Sequence, residues 1–296
     1  MIKNSSDWQT RLETELDEWN YLGEHAAMWW RDDDAIEATD ELTDFYQLCD
    51  RYDIPVSLVV VPNGLQDSLV QWVNDINADD HKVDILIHGF AHINHASEGE
   101  KKQELGDHRD LQVVLIELQQ SVEIMRTRLG RWTLPVLVPP WNRISDAVVR
   151  NLLSVGIGGL STFNAREQDV LDVQNDRQLW QVNTHVDVID WKRDRSFIGM
   201  DRVVDQLVAH LAAKREGRAD IAEPTGLLTH HLVHQAETKD ALQILCALLD
   251  EHPAVKWLSA KDVFQLRSLG EISDLESQDP EQNAYDPMGF DINQLS

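Results

Sequence analysis

The chain has 296 residues, 42% of them hydrophobic, enough to bury one large core. Its 26 Lys and Arg stand against 52 Asp and Glu, a formal charge of -26, which argues against a nucleic-acid backbone and against an anionic membrane surface as partner. Cys49 and Cys246 fall in apolar helical patterns and offer neither a disulfide framework nor a thiolate metal site, and no apolar run reaches the roughly 20 residues of a membrane span. Residues 1–10 lack a basic start followed by an apolar stretch, so a cytoplasmic protein is expected.

In chain order, short apolar or β-branched runs predict strands at 26–30, 55–61, 83–87, 135–138, 156–161, 179–184, 226–229 and 255–258. Between several of them, apolar residues recurring at three and four predict amphipathic helices at 36–52, 111–129, 144–155, 201–214 and 239–249. Repeated βα units imply an α/β fold with a parallel sheet. Without a Gly-rich nucleotide loop, a closed or nearly closed barrel of about seven or eight strands is favoured over an open doubly wound sheet. Residues 1–269 are expected to form this single barrel. Residues 270–296 have no Lys or Arg and seven acids, and are expected to be an acidic C-terminal tail.

Acids, histidines and tryptophans gather at the ends of the predicted strands, where the catalytic groups of barrel enzymes collect. His88 and His92 are four apart just after an apolar run, so a helical loop there would turn both imidazoles the same way. Loop histidines with no ligand role are the other reading of that pair. With Asp33 they would make two imidazoles and one carboxylate with an open position for water, the set a catalytic zinc requires. Asp32, Asp33 and Asp34 are like charges at the end of a buried strand, costly to desolvate, and a cation relieves that cost. Acids at this point also suit the N-terminus of the helix that follows. That role is assigned to Asp34, leaving Asp32 and Asp33 for chemistry.

These segments, Arg31 to Asp34, His88 to His92, Pro139-Pro140-Trp141, Asp187 to Trp191 and Leu228 to His231, resemble in order the five motifs of the polysaccharide deacetylase superfamily. This is the NodB-homology or carbohydrate esterase family 4 group. The resemblance spans about residues 28–231 and implies a distorted parallel β/α barrel that removes acetyl groups from N-acetylated sugars or glycans. It implies Asp32 as general base, Asp33, His88 and His92 as ligands of a divalent metal such as Zn²⁺, and Trp141 as an aromatic wall whose amide helps hold the oxyanion. Leu228 would line the acetyl pocket, His230 would be the general acid supported by Asp187 or Asp190, and Trp191 would bind the substrate, a ring compatible with stacking on a sugar. Of the adjacent His230 and His231, His230 shares the strand parity of Leu228 and is the expected acid.

Two positions depart from that pattern: Asp34 stands where the family has Gly, and Val138 where it has the arginine that orients the base. Arg143, two residues past Trp141, is the expected substitute, although an exposed arginine starting a helix accounts for it equally well. The missing arginine keeps two further readings open, a metal hydrolase of another small amide such as a ureide or formyl group, and a sugar-binding protein without turnover.

Overall fold

Alternating strand and helix periods place the elements of a computed structural model, which describes residues 7–174 and 177–278, in the order α1 (Asp7–Tyr21), β1 (Ala26–Ala35), α2 (Asp40–Arg51), β2 (Val56–Val60), α3 (Asp67–Ile76) and β3 (Val83–Ile87). Then come α4 (Leu111–Leu129), β4 (Thr133–Leu137), α5 (Asp146–Val149), β5 (Gly159–Leu160), β6 (Val170–Gln174), β7 (Arg177–Gln181) and β8 (Val186–Asp187). The chain continues through α6 (Met200–Arg215), β9 (Thr225–Thr229), α7 (Ala236–Asp250), β10 (Val255–Trp257), α8 (Ala260–Phe264) and α9 (Leu269–Gln278). Among the described residues no helix is long and apolar enough to cross a membrane.

The strands lie in the order β6-β7-β5-β4-β3-β2-β1-β9-β8, with β10 beside the start of β1, and among the described residues only the β6–β7 strand pair is antiparallel. One segment joins the two flanks. Val182 N–H donates to Leu160 O and Thr184 N–H to Thr162 O on one side, and His185 N–H donates to Gly226 O on the other. The residues between β7 and β8 therefore bond to both the β5 and β9 sides, and the curled parallel sheet becomes the distorted barrel that the βα alternation implied.

β1 is the axis of this construction. Side chains alternate across a strand, and its two tryptophans go to separate apolar clusters. Trp29 lies edge-on to Phe264 and donates from Nε1 to Asn183 O, whereas Trp30 packs against Phe45 and Trp257 and donates to Thr229 Oγ1. Trp29 leaves no room opposite: a Cβ on Gly226 would stand 2.5 Å from its Nε1. Truncating either buried tryptophan to Ala would cost about 3–5 kcal/mol.

The structure differs from the sequence expectations in several places. The sequence did not anticipate β6, β8 or α8, and the described strands number ten rather than seven or eight. β1 runs to Ala35 rather than ending near Trp30, and the helix expected over 144–155 is split into α5 and a 3₁₀ turn at Leu152–Val155. α1 and α3 were not anticipated, although Leu12, Leu16 and Trp19 of α1 are buried. The boundary expected at 269 coincides with the start of α9, whose Leu269 and Ile272 are buried and whose Gly270 N–H donates to Gly130 O. Residues 279–296 of the acidic segment lie outside the described residues.

Candidate active site

Strand alternation sends Arg31 and Asp33 to the same side as Trp29, and Asp32 to the side of Trp30, where it meets His231 and Thr229. Past Asp33 the alternation breaks. The β1–β2 register slips between Asp32 and Ala35, and Asp34 has φ of 77°, the left-handed backbone that short polar side chains tolerate best. This turn brings Asp34 Oδ1 to 3.0 Å from His88 Nε2 and 3.3 Å from His92 Nε2, and Oδ2 to 4.0 Å from His230 Nε2. The carboxylate grouped with His88 and His92 is thus Asp34, not Asp33 as the sequence reading had it. The helix cap expected of Asp34 is supplied by Thr39, whose Oγ1 accepts from Leu42 N–H at the start of α2.

Asp33, 2% exposed, is gripped by a fully buried arginine: Arg31 Nε donates to Oδ1 at 2.9 Å and Nη2 to Oδ2 at 3.1 Å. Arg31 is itself fixed by Ser161 Oγ, Thr162 O and Asn142 Oδ1. This two-pronged pair fixes the carboxylate's plane as a lysine could not. Arg143 does not approach it; its Nη1 donates to Lys102 O on the rim. Asp32, expected as the base, is buried with His231. Its Oδ1 bonds His231 Nδ1, and Oδ2 accepts from Thr229 Oγ1 and the His231 amide. Burial opposes both charges, yet the pair holds the Asp32 carboxyl below and the His231 imidazole above their ordinary values.

The loop after β3 is shaped by a residue with no obvious sequence signal. Buried Glu104 accepts from the amides of Phe90, Ala91 and Ile93, and a Cβ on Gly89, whose φ is 58°, would fall 2.1 Å from its Oε2. His92, with φ of 57°, is thereby turned toward Asp34 and lies against Trp141, ring centres 4.4 Å apart. His88 Nδ1 lies 2.8 Å from Val138 O, which can only accept, so this nitrogen carries a proton and Nε2 faces Asp34. Burial opposes a charge on His88, but the Asp34 bond and the charges of Asp33 and Asp34 raise its pKa. Burial and neighbouring His88 lower that of His92.

On the far wall, His230 faces the cluster while His231 turns away to Asp32. The Trp191 ring stands edge-on to His230 at 4.6 Å, and its Nε1 donates to Asp187 Oδ2 at 2.7 Å. Burial pushes the Asp187 carboxyl up, against the pull of His230. Leu228 lies beside Arg31 and Asp187 in the strand ladder. Asp190 does not join His230: it accepts from the Lys192 amide and pairs with Arg202 and Arg193. Clefts of about 570 Å³, lined by Asn142, Arg143 and Thr162, and about 420 Å³, lined by Asp187, Trp191 and Lys192, flank these walls.

A second cluster with metal-ligand residue types, His185, His210 and Glu223, is buried where β9 begins, away from the strand ends that carry the first. Its polarity is wrong for a cation. Gly226 N–H donates into His185 Nδ1 at 3.0 Å, so the ring proton sits on Nε2, the atom that faces Glu223 at 3.4 Å.

No family model matches the sequence, and no curated protein matches it. Solved structures do. The structure named "putative polysaccharide deacetylase from Mycobacterium smegmatis" superposes with a TM-score of 0.59 at 15% identity, covering 82% of this chain and 90% of that one. A family 4 acetyl xylan esterase from Clostridium thermocellum, solved with a cobalt ion, gives 0.48 at 14% identity over 81% of this chain and 90% of its own. The first of these likenesses establishes the fold: the chain is built on the same distorted barrel as the Mycobacterium smegmatis structure, the resemblance that the five motifs carried.

Proposed function

We propose that this chain is a metal-dependent hydrolase that removes the acetyl group from an N-acetylated amino sugar or glycan. The observation that carries the reading is the convergence of Asp34, His88 and His92 within 4.8 Å of one another, beside a second carboxylate, Asp33, that Arg31 fixes. The donor set fits a divalent ion. His88 gives its Nδ1 proton to a backbone carbonyl, the outer contact typical of a metal-ligating imidazole, and its Nε2 lone pair points at a carboxylate rather than at a hydrogen-bond donor. Two nitrogens and one oxygen suit zinc with an open position. When bound, such an ion would polarise the acyl carbonyl and acidify a water.

Asp33 takes the proton of the attacking water, and Arg31, bonded to both of its oxygens, fixes the orientation of that carboxylate. His230 gives a proton to the departing amine nitrogen, which leaves as a neutral amine. Trp191, tied to Asp187, stands edge-on to its ring. Trp141 and Trp191 wall the two sides of the acyl site, and the Trp141 amide is the donor we assign to the developing oxyanion. The test is metal analysis of the purified full chain, followed by acetate release from chitin oligosaccharides and from acetylated xylan after zinc or cobalt loading. Release from the chitin oligosaccharides is expected. Failure to bind either ion, or to release acetate from either polymer once loaded, overturns the proposal.

A further inference from the structure

A chain with a net charge of -26 carries bare cations on both walls of this site. Lys102 Nζ lies 5.9 Å from the centre of the Trp141 ring, and Arg195 Cζ lies 5.9 Å from that of Trp191. Trp141 touches His92 and Trp191 touches His230, so each cation is one tryptophan removed from the reacting groups. Among the described residues neither cation has a carboxylate partner within 4.0 Å, and the same holds for the adjacent Lys101 and Lys192.

The backbone that presents each cation is held in place. Arg143 Nη1 donates to Lys102 O at 2.8 Å and so fastens the segment that presents Lys102. Arg195 has φ of 60°, a conformation unfavourable for a long side chain. It is pinned by its amide's bond to Asp190 O, by the Asp190 amide's bond to Ser196 O, and by the bridge between Ile189 and Phe197. The acids of this loop are already engaged: Asp190 pairs with Arg193 and Arg202, and Asp194 accepts from the Ser196 amide.

We propose that Lys102 and Arg195 form an anion subsite, so that the substrate carries a phosphate or carboxylate close to its acetamide. This rests on the deacetylase reading of the site and narrows its substrate class. The field of an acidic protein repels anions at long range, and cations lying over the tryptophans at the mouth reverse that sign locally.

The test is calorimetric titration of the metal-loaded full chain with N-acetylglucosamine, N-acetylglucosamine 1-phosphate and N-acetylmuramic acid, alongside acetate release from each. The two anionic sugars distinguish a phosphate from a carboxylate requirement. At least one is expected to bind about tenfold or more tighter than the neutral sugar, with the advantage shrinking as salt rises. The Lys102→Ala/Arg195→Ala double variant should abolish that preference, Lys102→Glu/Arg195→Glu should invert it, and Lys102→Arg/Arg195→Lys should keep it. Equal binding of neutral and anionic sugars by the unmodified protein would overturn the subsite, as would a preference that survives in the double alanine variant, which marks an anion held by the metal alone. Acetate release from all three sugars without preference leaves the deacetylase standing and the subsite refuted. Preferential binding without acetate release does the reverse.

Discussion

Two clusters in this barrel contain the same ingredients, two histidines and a carboxylate, and differ in the direction of one hydrogen bond. At the mouth, a backbone carbonyl accepts from His88 Nδ1, so in the neutral ring the lone pair of Nε2 faces Asp34, and only a proton or a metal ion between them turns that approach into attraction. Where β9 begins, a backbone amide donates into His185 Nδ1, so a proton on Nε2 faces Glu223. The first arrangement sets two electron-rich groups against each other and calls for a cation. The second turns a donor toward a carboxylate, which leaves no lone pair of His185 for a cation. Residue type therefore does not define a metal site; the polarity of the backbone behind the ring does.

The comparison breaks most visibly on metal content. Asp34→Ala or His88→Ala should remove the bound ion, an effect beyond the about 10- to 100-fold affinity loss typical of an outer partner. His210→Gln should leave stoichiometry unchanged by elemental analysis. Metal lost on His210→Gln but kept in the Asp34 variant would invert the assignment. Asp33→Asn comes next, with turnover falling about 10²- to 10⁴-fold while metal is retained. Asp32→Asn should act on folding instead, because it strands His231 in the interior. Breaking such a buried pair costs about 3–5 kcal/mol, read as a lowered melting temperature.

The second cluster predicts a pH effect on stability. Burial and the neighbouring charges of His185 and Lys214 lower His210 from 6.5 to about 2. Below about pH 6.5 the unfolded chain takes up a proton that the folded one refuses, so stability falls as pH drops from 6.5 toward 2. The loss comes to about 2 kcal/mol by about pH 5. His210→Gln should flatten the slope of melting temperature between about pH 7 and about pH 5, and an unchanged slope would show that His210 does not titrate there.

Much of this could be read from the sequence because it depends on local period. The β/α alternation and most strands of the barrel wall follow from apolar runs with polar residues after them, whereas the gathering of His88, His92, Trp141, His230 and Trp191 at one mouth was what the resemblance to the five motifs implied. The sequence assigns Asp34 to the start of the following helix and Asp33 to the histidines, but a bulge with one left-handed residue, Asp34, turns that residue's carboxylate to His88 and His92. Arg31 was legible in principle: on an extended strand it shares a side with Asp33, two residues on. Glu104 was not, since nothing in a polar loop announces that its carboxylate will collect three amides from a segment eleven to fourteen residues away.

Arg143 and Arg31 make the finest form of the comparison, an arginine on the rim against one in the interior. The Arg143 side chain makes one described hydrogen bond, an exposed one to Lys102 O, and such a bond contributes about 1 kcal/mol. Arg143→Ala should therefore lower turnover no more than about fivefold, leave the metal bound and leave the acidic limb of the pH profile where it was. Arg31→Lys keeps a positive charge beside Asp33 but cannot reproduce the two-pronged contact, so it should displace that acidic limb and lower kcat while sparing KM. A displaced acidic limb in the Arg143 variant with an unmoved one in the Arg31 variant would return the orienting role to the rim. The reason to expect the opposite is geometric: among the described contacts the Arg31 guanidinium donates to both oxygens of the Asp33 carboxylate, at 2.9 and 3.1 Å, whereas that of Arg143 donates to a backbone carbonyl on the rim.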